Sequence, residues 1–547
     1  MRFLTTTAIL VLACFPIAAA CSAVGSDPGA GGGSAASTGN QTGGAGGLDL
    51  DAGTGGGVPV AEDPKTCAEA AASKSYVGCE FWPTVVDNIV RSVFDYAVVV
   101  ANAGDTEAEV TVTRLGATVA TATVAPNALQ TLYLPWVPEL KTLSPAGFCG
   151  PTSVKTETVR ADDGAYRLTS TRPVAVYQFN AIEYAGTGGP PGKDWSSCPL
   201  GNCLGQMCFS YTNDASLLLP ATALTGNYRI AGVPAWPNDN FTFPPYFAVT
   251  GTKDGTEVTV QLSATGAVAG GGGVPTAQFG GMVTFPLNAG DVVQVVGTEL
   301  SDFSGTLVKA TQPVQVITGI ACTQMPHGVV ACDHIEESVF PAETLGKRYF
   351  VTSPTGPHGT AVGHVVRLYG NVNGTQLTYP GQNPGAPGQI HAGEVVDLGV
   401  ITTDFEIVGD HEFTVASFQT GAAQADPGVP FDQAKGDPAQ SFMTTVEQYR
   451  KKYVFLAPGD YDVSFADVVG PAGAELTLDG VVVTKASEPL SSGYVTTRVE
   501  LGPGNGGAHV LTASEPVGLQ VIGYGTYTSY QYPGGLNLGL ISPPPPL

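Results

Sequence analysis

The sequence predicts an all-β protein: about four tandem β-sandwich-like modules behind a signal peptide and a disordered glycine-rich tether. Three observations carry that prediction. Short segments alternate apolar and polar residues with period two, as in Glu257-Val258-Thr259-Val260-Gln261-Leu262 and Glu475-Leu476-Thr477-Leu478. That pattern marks a strand with one buried face. Long amphipathic helical patterns are nearly absent, while glycine (72) and proline (42) are abundant and charged residues make up only 13% of the chain. Finally, a short motif recurs. Leu168-Thr169-Ser170-Thr171-Arg172-Pro173-Val174 matches Val308-Lys309-Ala310-Thr311-Gln312-Pro313-Val314 and Leu511-Thr512-Ala513-Ser514-Glu515-Pro516-Val517. In each copy an apolar residue ends one strand, a polar turn follows, and proline opens the next strand, where its missing N–H is not needed. A degenerate copy without the proline spans Ile407–Val415.

Each copy closes a longer unit. Upstream stand "EVTVTRLGATVATATV", "EVTVQLSATG", "GTQLTYPG" and "AELTLDGVVVT", each followed by a segment resembling "PLNAGDVVQVVG". The units fall near residues 80–185, 240–322, 347–421 and 450–527, each with six to eight strands expected. A folded region of roughly 480 residues is too long for a single core, which agrees with several modules. Leu478-Asp479-Gly480-Val481 adds a hairpin signal, because Asp-Gly accepts the positive φ angles of a type I′ turn.

The N-terminus is expected to be processed. One positive charge, then the mostly apolar run Leu4–Ala20, reads as a secretory signal peptide over residues 1–20. Ala18-Ala19-Ala20-Cys21 looks like a bacterial lipoprotein box, in which Cys21 receives lipid. Residues 21–63 then form the tether. Cys21 to Val60 holds fourteen glycines, no aromatic residue and no Lys or Arg, too little apolar surface to offset chain entropy. Forty such residues reach about 35 Å. The remaining residues, 64–547, hold the modules.

Ten cysteines are present. Cys14 leaves with the signal and Cys21 takes the lipid. The remaining eight are Cys67, Cys79, Cys149, Cys198, Cys203, Cys208, Cys322 and Cys332, an even set that suits disulfides in an oxidising compartment. Cys322 and Cys332 frame a short loop and are expected to pair, contributing about 2–3 kcal/mol in the chain-entropy picture. The other six allow fifteen connectivities, with Cys149 a natural partner for one of Cys198, Cys203 and Cys208. Those three stand at CxxxxCxxxxC spacing with no histidine within a hundred residues, unlike the close N/S pairs of a zinc site. They are expected to staple the Gly/Pro-rich stretch 186–209.

The formal charge of −24 excludes nucleic acid as a partner, since phosphates would be repelled. No HExxH, GxSxG, Walker or Rossmann signature is present, so no catalytic residue, resident metal or cofactor is expected. Asp333, His334, Glu336 and Glu337 form the densest cluster of ligand-type groups, and the favoured expectation is a solvated loop capping "SVFPAETLG". Asp162-Asp163-Gly164, Asp254-Gly255 and Asp460-Tyr461-Asp462 could each help bind structural calcium, but such pairs ordinarily sit in turns. Tyr524, Tyr527, Tyr530 and Tyr532 could form a platform for glycan or peptide; the alternative is a last strand whose aromatics pack on neighbouring modules. The run Pro543–Pro546 is expected to be a frayed end.

Longer stretches resemble the IgGFc-binding protein N-terminal domain family, in particular its bacterial lipoprotein branch. They are "YVGCEFWPTV" at Tyr76–Val85, "RPVAVYQFNAIEY" at Arg172–Tyr184, "NDASLLLP" at Asn213–Pro220, "ACDHIEESVFPAETLGKRYFVT" at Ala331–Thr352 and "SYQYPGGLNL" at Ser529–Leu538. The resemblance runs from Cys67 onward and implies a secreted, adhesive context, with no binding residue carried over. The expected function is a non-enzymatic cell-surface lipoprotein that binds an extracellular protein or glycan and meets the membrane only through its lipid. A purely structural envelope or matrix component, or a secreted hydrolase with a scattered triad, are the alternatives. The expected location is the outer membrane or cell surface, or else secreted or periplasmic.

Overall fold

The period-two segments form the outward sheets of four β-sandwiches. A computed structural model describes residues 64–144, 152–184, 210, 212–238, 241–430, 432–459, 461–501 and 507–545. In the first sandwich the outer sheet runs Ala117–Val124, Ala108–Arg114, the first half of Arg167–Asn180, then Gly78–Phe81. Its inner sheet runs Ala128–Leu134, Tyr96–Asn102, the second half of Arg167–Asn180, then Ala215–Leu218. The same order recurs three times. The second sandwich pairs Met282–Leu287, Thr256–Gln261, Leu307–Ala310 and Asn227–Arg229 outside. Inside it has Val292–Gly297, Pro245–Gly251, Val314–Thr323 and Asp333–Ser338. The third has Gln389–Ile390, Thr375–Thr378, Phe405–Gly409 and Arg348–Val351 outside. Its inner strands are Val395–Ile401, His364–Gly370, Phe413–Gln419 and Gln440–Phe442. In the fourth, the long strand Gly507–Gly525 serves both sheets, and the inner sheet ends on Thr528–Pro533.

The recurring proline motif is where a strand crosses from one sheet to the other. In the second and third sandwiches the crossing interrupts the strand, as the sequence suggested. In the first and fourth the strand bends without ending, because both halves keep antiparallel partners: Thr169 faces Thr111 and Val176 faces Val100. Thr171, Arg172 and Pro173 have no register partner at the bend, so the missing proline N–H costs no ladder bond. Asp479 and Gly480 take φ of 51° and 78° between Leu476–Leu478 and Val481–Val482, the paired positive values of a type I′ hairpin.

Inner and outer sheets differ in what they face. Thr256–Gln261 alternates buried and solvent-facing residues, whereas Tyr96–Asn102, Pro245–Gly251, His364–Gly370 and Phe413–Gln419 are buried on both faces. One side packs within the sandwich, as Val98, Val110, Leu134 and Val176 do in the first. The other side packs against neighbouring sandwiches, where Val99, Tyr177, Leu217, Ile335, Phe418 and Tyr532 share one cluster. The four last inner strands meet in a cycle: Ala215–Leu218 touches Asp333–Ser338, which touches Gln440–Phe442, then Thr528–Pro533, which returns to Ala215–Leu218.

Each junction of the cycle has its own bonds. Between the first and second sandwiches, Val159–Ala161 adds as a strand to Val292–Gln294, and Gln315 Nε2 donates to the Trp82 carbonyl at 2.7 Å. The Phe340 and Phe442 rings lie 5.4 Å apart between the second and third. Thr355 Oγ1 donates to Asp467 Oδ1 at 2.6 Å between the third and fourth. The Tyr177 hydroxyl donates to the Gly534 carbonyl at 2.9 Å and closes the fourth onto the first. The chain ends reinforce that seam. Tyr76 N–H donates to Leu536 O at 3.0 Å and Leu538 N–H to Lys74 O at 2.8 Å. Leu536 and Leu538 are buried, and Lys309 Nζ reaches the Pro545 carbonyl at 3.2 Å. The chain is thus fixed by apolar burial and main-chain bonds as far as Ser542; of the run expected to fray, Pro543 and Pro544 are exposed, Pro545 is held through its carbonyl, and Pro546 lies outside the described residues.

Cys67 is bonded to Cys79, and Cys322 to Cys332. Cys21, Cys149, Cys198, Cys203 and Cys208 lie outside the described residues. The bridge between Cys322 and Cys332 closes the connection from Val314–Thr323 to Asp333–Ser338, one of the four central strands. Replacing both cysteines by serine should lower stability by about 2–3 kcal/mol. Urea denaturation of the double variant beside the wild type measures this, and coincident curves would show the bridge to be dispensable.

Candidate functional site

Asp333-His334-Ile335-Glu336-Glu337-Ser338 looks like exposed loop by composition, yet it is a strand in which every residue is buried. This overturns the expected solvated loop. On one side the strand pairs with Val314–Thr323, with Ile320 opposite Ile335 and Thr323 opposite Asp333. On the other it abuts the last strands of the first and third sandwiches. Of its polar side chains, Glu336 is bonded there. Glu336 accepts from Asn180 Nδ2 at 2.6 Å, Ser216 Oγ at 3.1 Å and Gln178 Nε2 at 3.2 Å, all from the first sandwich. His334 donates from Nδ1 to the Ile320 carbonyl at 3.1 Å, leaving Nε2 3.6 Å from Glu336 Oε2.

Asp214 is the centre of this arrangement. It lies at the start of Ala215–Leu218 and is fully buried. Its Oδ1 accepts the Ala215 N–H at 2.9 Å, and its Oδ2 accepts the N–H groups of Glu336 at 3.1 Å and Gln440 at 3.2 Å. One carboxyl thus satisfies main-chain donors of three strands from three sandwiches. Asp333 is its opposite: buried, with neither oxygen hydrogen-bonded among the described residues. Burial, and then the charges of Asp437 and Asp214, hold the Asp333 carboxyl well above the usual carboxylate range. Burial does the same to Asp214, Glu337 and Asp437. These groups are enclosed rather than presented to solvent, and Asp214 among them joins strands of three sandwiches.

The remaining candidate residues are dispersed. Asp162, Asp163 and Asp254 come together with Arg160, Asn288 and Asp291 around an open cleft of about 640 Å³. The carboxylates of Asp162, Asp254 and Asp291 are already occupied. Arg160 reaches Asp162 and Asp291 at 2.6 Å each, Asp254 accepts the Ala289 N–H at 3.1 Å, and Asp291 accepts the Asp163 N–H at 3.1 Å. Asp163 and Gly255 take φ of 47° and 67°, as turn residues do. Asp460 lies outside the described residues, and Asp462 stands 3.6 Å from Lys435 Nζ. Among the described residues no three His, Cys, Asp or Glu side chains converge in a way that could hold a metal ion.

Tyr524, Tyr530 and Tyr532 are fully buried and only Tyr527 is partly exposed, so the four cannot form a ligand platform. Strand alternation explains the difference. Tyr530 and Tyr532 share one face of Thr528–Pro533, Tyr532 packs 4.9 Å from Tyr177 of the first sandwich, and Tyr527 takes the turn with φ of 55°. Sequence reasoning missed Gln178, Asn180, Ser216, Asp214, Asp437 and Gln440. Asp214 stood within the quoted stretch "NDASLLLP", but nothing local to it shows which main-chain groups it meets.

Comparison with known proteins gives a consistent result. A family model described as "IgGFc binding protein" matches residues 214–523, more than half of the chain. The IgGFc-binding protein of Homo sapiens is 27% identical over 342 residues, which is 61% of this chain and 6% of that protein. The chain therefore spans a small part of that relative's length. No solved structure matches. The matched stretch begins at Asp214 and includes the second and third sandwiches and most of the fourth. The quoted stretches at 76–85, 172–184 and 529–538 fall outside it.

The Asp333 carboxyl makes a pH prediction with a definite sign. In the unfolded chain it ionises near the ordinary aspartate value of 3.8, and in the folded chain it keeps its proton to higher pH. The folded state then binds more protons, so stability falls as pH rises from about 4 toward neutrality. Asp333→Asn cannot ionise and should show a shallower fall, with Asp214, Glu337 and Asp437 retaining the rest. Melting temperatures of both proteins at pH 4.5 and 7 measure the difference, and parallel declines would show that Asp333 contributes nothing to it.

Proposed function

The chain belongs to the IgGFc-binding protein family, and we propose that it is a non-enzymatic, exported surface protein whose region 64–547 binds an extracellular protein. Family membership is the observation that carries this reading. The structure supports it by what its acidic cluster does: Asp214 and Glu336 bond across sandwiches, and the buried carboxyls of the cluster offer no reacting group to solvent. The two disulfides among the described residues support export, because such bonds persist in oxidising compartments. The human relative's name makes the Fc region of immunoglobulin G the first ligand to test, ahead of a glycan. In this reading residues 1–20 are removed, Cys21 carries lipid, and residues 21–63 tether the sandwiches at the outer membrane or cell surface, as in the family's bacterial branch.

Binding of the purified full chain to immobilised Fc, to Fab and to a glycan array tests the function. Saturable binding to Fc is expected. Binding to another protein or to a glycan would keep the module and replace the ligand. No binding to any of them would overturn the reading in favour of a structural envelope component.

The anchor has a separate test. The wild type should sediment with membranes and Cys21→Ser should be soluble after export. A wild type that is already soluble would remove the lipid from the proposal.

A further inference from the structure

The outer sheets of the four sandwiches end on equivalent strands, and comparing them singles out the first. In the third and fourth sandwiches that edge strand is two residues long, Gln389–Ile390 and Val481–Val482. In the second it carries Pro286 within Met282–Leu287. Short strands and proline are the usual ways in which natural sheets keep an edge from pairing with foreign strands. Two of the four inner-sheet edges are covered by an added strand, while Ala128–Leu134 and Val395–Ile401 each have one registered partner. Val159–Ala161 and Val268–Ala269 cover Val292–Gly297, and Glu488–Pro489 covers Tyr494–Glu500.

Ala117–Val124 has none of these protections. It is eight residues long, without proline or charge, and its one registered partner is Ala108–Arg114. A register shift at Val119 leaves Ala120–Val124 as a regular stretch. Among the described residues no strand forms a ladder with the opposite edge of Ala117–Val124, although its last carbonyl, that of Val124, accepts from Asn102 Nδ2 at 2.9 Å and its end lies beside Ala128–Leu134.

We infer that the free edge of Ala117–Val124 accepts an extended segment of a partner polypeptide as an additional antiparallel strand. This deepens the protein-binding reading and rests on it. Such additions gain affinity from main-chain bonds and specificity from alternate side chains. Side-chain chemistry defines the segment. Ala120 and Ala122 pack against the sandwich core and are only half-buried, so small residues leave room for aliphatic side chains at alternate partner positions. On the other face Thr123 donates to the Glu109 carboxylate at 3.1 Å, and Glu107 and Asp105 stand nearby in sequence. The segment therefore alternates aliphatic with uncharged or basic residues. A second copy of the chain is disfavoured as occupant, because two bodies of formal charge −24 repel.

The probe is a synthetic eight-residue peptide alternating valine and threonine, with lysine at each end. Added to the full chain, it should slow amide hydrogen exchange across 117–124 and leave Val481–Val482 unchanged. Thr121→Lys, on the exposed face, should keep the wild-type melting temperature and bind the peptide about tenfold more weakly. A peptide with glutamate ends should bind less well than the lysine form. Unchanged exchange at 117–124, or equal binding by Thr121→Lys, overturns the edge as a docking strand. Protection without peptide, together with a dimer in sedimentation, overturns the stated occupant in favour of a second copy. If Fc binds while the peptide fails, the edge is wrong and the protein-binding reading stands. If the peptide binds at the edge while Fc and glycans do not, the edge stands and that ligand assignment fails.

Discussion

Four sandwiches can share a centre only if the main-chain groups on the meeting strands are satisfied without water, and Asp214 is how this chain does it. The last inner strand of each sandwich has one edge with no ladder partner in its own sheet. Leaving buried N–H groups unpaired there would cost about 1–3 kcal/mol each. A carboxyl accepting from Ala215, Glu336 and Gln440 removes three such costs at once. It introduces another, because enclosing Asp214, Asp333, Glu337 and Asp437 penalises their charged forms. The centre is thus held by hydrogen bonding at the expense of ionisation.

That centre also explains the composition. Inner sheets enclosed on both faces hold few charged residues, the central strand Asp333–Ser338 apart. They hold strands such as Tyr96-Ala97-Val98-Val99-Val100-Ala101-Asn102, all buried. Outer sheets, loops and the inner edge strands Ala128–Leu134 and Val395–Ile401 meet solvent, and threonine alternation serves the outer sheets, as Thr111, Thr121 and Thr123 do. Few charged residues in this chain is therefore a sign of sheets enclosed on both sides, rather than of a small surface.

The sequence showed what is decided within one sandwich and hid what is decided between them. The proline corner was legible because a strand that changes sheets needs an unpaired position at the same place each time. Asp479-Gly480 was legible because positive φ favours those residues. The strand Asp333–Ser338 was not, since its polarity suits water as well as it suits Gln178, Asn180 and Ser216, and those partners lie more than a hundred residues away in sequence. The tyrosines failed for the same reason: Tyr532 is buried by Tyr177, which no local pattern around Tyr532 reveals. The aspartate turns were legible as turns, and their gathering around Arg160 was not.

The bridge between Cys67 and Cys79 affects how the molecule transmits a pull. Residues 64 and beyond lead into the helix Cys67–Ser73, then into the seam segment around Tyr76 that holds Leu536 and Leu538. A tension applied at residue 64 need not pass through that segment. It crosses the sulfur bond from Cys67 to Cys79 and enters the strand Gly78–Phe81, which lies antiparallel against Arg167–Asn180. The helix and the seam bonds are thereby taken out of the path of force, and the ring stays closed while the first outer sheet carries the load.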